Sequence, residues 1–134
     1  MSLTIAITDG PLGPAPAWQP DRAGAILAFE GIVRAKEGEG TITALDYRAY
    51  EPMAQTMLDE IGRDLMTQHG LIAMHIHHSR GRVPVGQCSF RLLIAAVHRK
   101  EAIAAMDEFI DRLKKDVPIW KQAVWKDQTG KRAD

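Results

Sequence analysis

The chain lacks several features that would assign it to a class of protein at once. It has 134 residues and a single cysteine, Cys88, which excludes an intramolecular disulfide framework. No apolar run approaches the ~20 residues that span a membrane. The N-terminus also lacks the basic start and long apolar middle of a signal peptide. We therefore expect a single domain, residues 1–134, that is cytoplasmic and does not associate with membranes.

An excess of charge of either sign is also absent. Lys and Arg together number 17, Asp and Glu together number 17, and the formal net charge is zero. Generic binding to nucleic acid or to a membrane surface would need a basic excess, so any recognition of anions must be local. The common motifs for nucleotide binding, zinc proteolysis and serine hydrolysis are missing as well.

Alternating apolar residues predict a series of strands, and two segments with helical periodicity lie between them. One helix begins near Pro52 and ends at Gly70, and the other lies between His98 and Pro118. The strands are predicted at residues 3–8, 24–34, 42–50, 71–78 and 87–97, with another beginning at 119–121. This order predicts an α+β fold with a mainly antiparallel sheet and two main helices.

The connections between these elements are predicted from proline, glycine and polar residues. Residues 11–20 are expected to form a surface connection with a short turn of helix near Trp18. Gly31 indicates a bulge within its strand. Residues 35–40 are expected to be a polar loop, residues 79–86 a turn, and the residues after Lys121 a short strand followed by a polar tail.

The segment from Val97 to Lys121 organises the chain. Its apolar residues recur at helical spacing, so one helix face should be buried. Lys114 and Lys115 suit the negative end of the helix dipole, and Pro118 ends the helix. The segment is therefore a strand–helix–strand unit with cations at both ends of its helix.

Each of these cations has two interpretations. No Ser, Thr, Asp or Asn caps the helix beside Arg99, so its free N–H groups bind either an anion or water. If the Pro118 turn brings Lys114 and Lys121 together, each makes the other easier to deprotonate, and one could act as a base or nucleophile; otherwise both are solvated. Arg34 is either an anion contact beside the bulge or a solvated charge at the strand end.

Two histidines raise the question of a metal site. His75 and His77 alternate along one strand, share a face, and could in principle share an ion. No third ligand has convincing spacing. Packing or surface exposure is the more common role of such a pair, and we predict no metal site.

Four stretches taken together resemble one known family. FEGIVR, YRAYEPMA, AAVHRKEAI and DRLKKDVPIWK, spread over residues 24–121, resemble the catalytic (large) subunit of molybdopterin synthase. The resemblance implies an α/β hammerhead-type fold and a homodimer within a heterotetramer. It implies a small ubiquitin-like sulfur-carrier subunit whose C-terminal Gly-Gly ends in a thiocarboxylate. It further implies sulfur transfer onto cyclic pyranopterin monophosphate, which forms the molybdopterin dithiolene without a bound cofactor.

The resemblance also assigns roles to individual residues. Lys114, expected nearest the carrier's terminal carbonyl, and Lys121, expected to steady the pterin, are the catalytic residues. His98 and Arg99 are expected to contact the anionic part of the substrate, and Arg34 ends the matching strand. The full set implied for substrate binding is Ile32, Val33, Arg34, His98, Arg99, Lys114, Lys121, Gln122 and Ala123. We expect the five basic residues among them to meet in one pocket.

Two positions depart from the family's pattern. Ala123 stands where the family usually has a glutamate, and the chain ends at Asp134, before a tryptophan and an arginine that the family usually carries. These departures motivate an alternative function, a non-catalytic paralogue that binds the carrier subunit.

Overall fold

The computed structural model describes residues 2–38, 40–126 and 132–133, which form two helices and eight strands. The helices are α1, Met53–His69, and α2, Arg99–Asp116. The strands are β1 Ser2–Asp9, β2 Ala25–Ile32, β3 Lys36–Glu37, β4 Gly40–Ala49, β5 Ala73–Pro84, β6 Cys88–Ala96, β7 Ile119–Lys126 and β8 Arg132–Ala133.

The strands form one sheet in the order β2-β6-β5-β4-β7-β8, with β1 added beside β5 and β3 beside β4. β1 runs parallel to β5, and the other pairings in the described chain are antiparallel. β5 joins two parts of this sheet, because its first half pairs with β1 and β6 whereas residues 81–84 pair with β4. The α+β prediction, with a mainly antiparallel sheet and two main helices, is confirmed.

The main core lies between the helices and one face of the sheet. Phe109 of α2 is fully buried and stacks on Phe90 of β6, with 6.2 Å between the ring centroids. Leu3 and Ile5 pack against the same core, as the alternation in β1 predicts. A smaller cluster of Val33, Ile42, Leu45 and Val83 fills the other part of the sheet. Burial of these apolar side chains provides most of the drive for folding.

The predicted helix ends are confirmed. Gly70 adopts a φ of 62°, a left-handed conformation that glycine takes at little cost, and its N–H bonds to the Met66 carbonyl. α2 stops before Pro118, and Val117 is extended, as expected for a residue that precedes proline. The bulge at Gly31 is also present, because the register of β2 on β6 shifts between Gly31 and Ile32.

The turn predicted at residues 79–86 is confined to residues 85–86, since β5 continues to Pro84. The polar residues of this stretch have partners that hold it extended. The Ser79 hydroxyl donates to the Gly10 carbonyl at 2.7 Å, and Arg80 donates to Asp9 at 2.6 Å. These polar side chains therefore belong to an extended strand and not to a turn.

Two loop predictions also need correction. Residues 36–37 form the short strand β3 against β4, within the predicted polar loop. Residues 11–20 contain no helix near Trp18; Leu12 instead bridges to Cys88 on β6, and the Arg91 guanidinium donates to the Gly13 carbonyl at 2.7 Å. Most of the predicted polar tail, residues 127–131 and 134, lies outside the described residues.

Candidate functional site

A cavity of about 610 Å³ opens where the two parts of the sheet meet the C-terminal end of α2. This volume is typical of small-molecule sites. Its walls come from β2, β3, β4, β5, β6, β7, the end of α2 and the loop after β2. The lining residues whose side chains carry polar groups are Arg34, Lys36, Tyr47, His78, Ser89, Lys114 and Lys121.

Three predicted cations line this cavity together. Arg34 follows the bulged end of β2, and Lys114 lies in the last turn of α2. Lys121 on β7 pairs with Tyr47 on β4, so both side chains lie on the cavity side of the sheet. Because Pro118 ends α2 and the chain re-enters the sheet at once, the two lysines reach the same space from different elements.

Of the four other predicted substrate-binding residues discussed next, two line the cavity and two do not. Ile32 and Val33 line the cavity. Gln122 is exposed and, by strand alternation, lies on the face of β7 opposite to Lys121. Ala123 packs against the smaller core cluster around Val33. The backbone at 122–123 thus shapes the wall, but neither side chain lines the cavity.

His98 and Arg99 lie outside this cavity. They line a separate, open depression of about 560 Å³ together with Gly24, Val97 and neighbouring residues. Arg99 and Lys114 are separated by 15 helical residues, or about 22 Å along the axis. The expectation that all five basic residues meet in one pocket is therefore wrong within a single chain.

The start of α2 also differs from expectation. The Glu101 carboxylate accepts a hydrogen bond from the His98 backbone N–H at 3.3 Å. One backbone donor beside the helix start is thus satisfied by the protein's own carboxylate. The negative charge of Glu101 also suits the positive end of the helix dipole.

The sequence did not single out the polar groups of the cavity floor. The Tyr47 and Ser89 hydroxyls are 3.0 Å apart, and the His78 ring meets the Tyr47 ring edge-on with 5.3 Å between centroids. His78 Nδ1 lies 2.7 Å from the Ser79 carbonyl oxygen, so this nitrogen carries the proton and donates it. Burial lowers the pKa of His78, so the ring is neutral near pH 7. Tyr47 begins the stretch YRAYEPMA, but no role was predicted for it, and His78 and Ser89 lie outside the four quoted stretches.

His75 and His77 have no metal-site geometry around them. Within the described ranges, no group of three His, Cys, Asp or Glu side chains is placed to hold an ion. His77 pairs with the Thr8 hydroxyl at 2.6 Å, and burial lowers the pKa of both histidines. Nor does any described helix have the length and apolar character needed to cross a membrane.

The sequence profile of the MoaE protein family matches residues 8–116. The chain belongs to this family. A relative from Nostoc sp., named molybdopterin synthase catalytic subunit, is 39% identical over 105 residues, which are 78% of this chain and 64% of the relative. The MoaE-family chain thus spans less than two thirds of that relative's length.

Solved structures agree with the fold of this MoaE-family chain. The crystal structure of molybdopterin synthase from Staphylococcus aureus superposes with a TM-score of 0.78 at 29% identity, covering 89% of this chain and 91% of that chain. A complex of subunits 1 and 2 of molybdopterin-converting factor from Helicobacter pylori gives a TM-score of 0.73 at 27% identity, covering 96% and 87%. The hammerhead-type architecture implied by the resemblance is therefore that of known molybdopterin synthase structures.

Proposed function

We propose that this chain is the catalytic subunit of a cytoplasmic molybdopterin synthase. It takes sulfur from the C-terminal thiocarboxylate of a small ubiquitin-like carrier and places it on cyclic pyranopterin monophosphate, twice, to form the dithiolene. The observation that carries this proposal is the cavity in which Arg34, Lys114 and Lys121 meet. Both reactants are anions, and a partly enclosed cluster of cations attracts them more strongly than a fully solvated cluster would.

Each round of sulfur transfer balances without a redox step. The thiocarboxylate sulfur bonds to a side-chain carbon of the precursor, and an oxygen of the precursor leaves as hydroxide. Water then attacks the resulting thioester, the carbonyl C–S bond breaks, and the carrier leaves as a carboxylate. The sulfur stays on the precursor as a thiolate, and of the two protons released one neutralises the hydroxide. Since no oxidation state changes overall, we expect the reaction to need no redox cofactor.

The cavity cations have distinct roles in this scheme. Lys114 lies at the mouth of the cavity and stabilises the negative charge that develops on the thioester carbonyl oxygen. Lys121, on the sheet wall, and Arg34, at the end of β2, hold the anionic groups of the precursor. Removing a donor to a developing oxyanion typically costs about a hundredfold or more in rate.

His98 and Arg99 take part in this function only if a second copy of the chain supplies them. The length of α2 keeps them away from Lys114 of their own chain. Val97 and Ile103 beside them are 49% and 53% exposed, which suits a surface that another chain covers. We therefore propose a dimer in which each site combines Lys114 of one chain with Arg99 of the other, flanked by two carriers in a heterotetramer.

Mixing two impaired variants, assayed at a limiting precursor concentration, tests this arrangement. If the site is shared, a dimer of one Lys114→Ala chain and one Arg99→Ala chain has one site with both lesions and one site with neither. Co-refolded mixtures should then regain about a quarter of wild-type activity, because about half of the dimers are mixed and each has one intact site. Activity no higher than that of either variant alone would place both residues in sites within single chains.

The function itself is tested by mixing the purified chain with thiocarboxylated carrier and precursor. We expect a dithiolene product, detected after oxidation to its fluorescent pterin derivative. The alternative is a paralogue that binds the carrier without chemistry, and it is favoured by Ala123, whose methyl group offers no carboxylate beside the cavity. Tight carrier binding with no product would establish that alternative and refute the enzyme.

A further inference from the structure

Four aromatic rings form a continuous surface along one side of the cavity. Phe29, Tyr47, His78 and Phe90 all line it. Adjacent ring centroids lie 6.1 Å apart for Phe29–Phe90, 5.6 Å for His78–Phe90 and 5.3 Å for Tyr47–His78. Rings at these spacings hold one another in place, so the surface is formed before any ligand arrives.

A pair of hydroxyl groups lies within this aromatic surface. Ser89 is only 5% exposed, and its hydroxyl is 3.0 Å from that of Tyr47. The Ser89 hydroxyl also lies 3.5 Å from the Gly31 carbonyl at the bulge of β2. A hydroxyl both donates and accepts, and the Ser89 hydroxyl donates to Gly31 over a long 3.5 Å, so a ligand group can compete for its proton or use its lone pairs.

His78 provides a hydrogen-bond acceptor at the end of this aromatic surface. It is 6% exposed, and its Nδ1–H is committed to the Ser79 carbonyl. The neutral ring therefore presents Nε2 as an acceptor. The floor thus combines one fixed acceptor with two adaptable hydroxyls, which suits a planar ligand whose edge alternates donors and acceptors.

We propose that Tyr47, Ser89 and His78 bind the polar edge of the substrate's bicyclic nitrogen heterocycle, while Arg34 and Lys121 bind its phosphate. This rests on the proposed function and adds to it residues that select the ring. The division follows from chemistry, since aromatic side chains favour contact with a heterocyclic ring and exposed cations favour an anion.

A peptide tail of the carrier is the competing occupant of this floor. An extended diglycine has no side chain to cover the partly exposed rings of Phe29 and Tyr47, so it would leave them in contact with water. It also needs no fixed acceptor such as His78, because backbone groups along any wall can pair with it. The aromatic area therefore favours the heterocycle at the floor and the peptide tail at the mouth, beside Lys114.

Two small probes separate the two halves of the site. Neopterin has the pterin ring without phosphate, and inorganic phosphate has the anion without the ring. We expect Tyr47→Phe to weaken neopterin binding about three- to tenfold and to leave phosphate binding unchanged. Arg34→Ala should do the reverse. Ser89→Ala, which keeps the tyrosine hydroxyl, should reproduce the direction of Tyr47→Phe, and thermal melts identify any variant that has lost its fold.

Several outcomes would overturn this assignment. Wild-type protein that fails to bind neopterin at millimolar concentration would do so, as would Tyr47→Phe and Ser89→Ala variants that are both folded and bind neopterin normally. A Tyr47→Phe variant that loses affinity for the carrier instead would assign the floor to the peptide tail. The proposed function can fail separately. A wild-type chain that binds neopterin through Tyr47 but makes no dithiolene would support the ring-binding assignment and refute the enzymatic activity.

Discussion

The two ends of α2 carry similar numbers of cations in different surroundings. His98, Arg99 and Lys100 surround an open depression that also contains the carboxylate of Glu101. Lys114, at the other end, shares with Arg34 and Lys121 a cavity backed by aromatic rings. The cations of both clusters are exposed, but the cavity gives a small anion a partly enclosed space beside the second cluster. The first cluster gains comparable enclosure only when another chain covers it.

The largest expected effect is at the C-terminal end of α2. Lys114→Ala should lower the rate of dithiolene formation about a hundredfold or more, because it removes the cation beside the reacting carbonyl. Lys115→Ala is the matched control, since Lys115 is the next residue along the helix and does not line the cavity. Single-turnover fluorescence measures both. A Lys114→Ala enzyme that works at full rate would remove this lysine from the mechanism.

The next largest effect is on stability and concerns Gly24, which lies against the backbone just before His98. A Cβ at Gly24 would overlap the Val97 carbonyl oxygen, so the chain just before His98 must shift in Gly24→Ala. We expect the free energy of unfolding to fall by about 1–3 kcal/mol, as for other overpacked sites. Urea denaturation measures this. Gly13→Ala is the control, because its added methyl group meets no atom within 4 Å; equal losses in the two variants would contradict the steric argument.

Arg99→Ala should have an effect of about tenfold, and on one ligand only. Because Arg99 is assigned to the anionic part of the precursor, its loss should weaken precursor binding and spare carrier binding. Calorimetry with each ligand compares the two. Lys115→Ala, at an exposed residue that lines neither cavity, should change neither, and equal weakening of both ligands by Arg99→Ala would refute the assignment.

The smallest effect is the pH dependence of stability. Burial lowers the pKa of His78 in the folded chain, so the unfolded chain binds the proton more readily. The free energy of unfolding should therefore be highest above about pH 6.5 and should decline as the pH falls toward the folded-state pKa. His78→Gln should flatten this decline, whereas His98→Gln, whose side chain in the wild type is 78% exposed, should not. Denaturation at pH 8 and pH 5.5 tests both.

Much of the fold was predictable because local chemistry determines it. Pro118 cannot continue a helix, Gly70 accepts a left-handed cap, and Gly31 allows a bulge, so these boundaries could be predicted from single residues. The length of β5 could not be predicted in this way. Its polar residues are held by partners such as Asp9, far away in sequence, which no local pattern reveals.

The candidate site was predictable only in part, for similar reasons. Arg34, Lys114 and Lys121 follow from the family resemblance, and the cavity brings them together. The separation of Arg99 from Lys114 was available from the sequence, because a continuous helix of known length must hold them apart. Tyr47 and Ser89 were not identifiable, since they meet only because the sheet places β4, β5 and β6 side by side.

The bridge between Leu12 and Cys88 has a practical consequence. Cys88 carries the chain's single thiol; it is 8% exposed, and burial raises its pKa. Because Cys88 is largely buried, an alkylating reagent should reach the sulfur faster when the neighbouring chain moves away from β6. The rate of labelling therefore reports on local opening without any engineered probe. Repeating the reaction with an excess of carrier or precursor would show whether binding of either one keeps this part of the molecule closed.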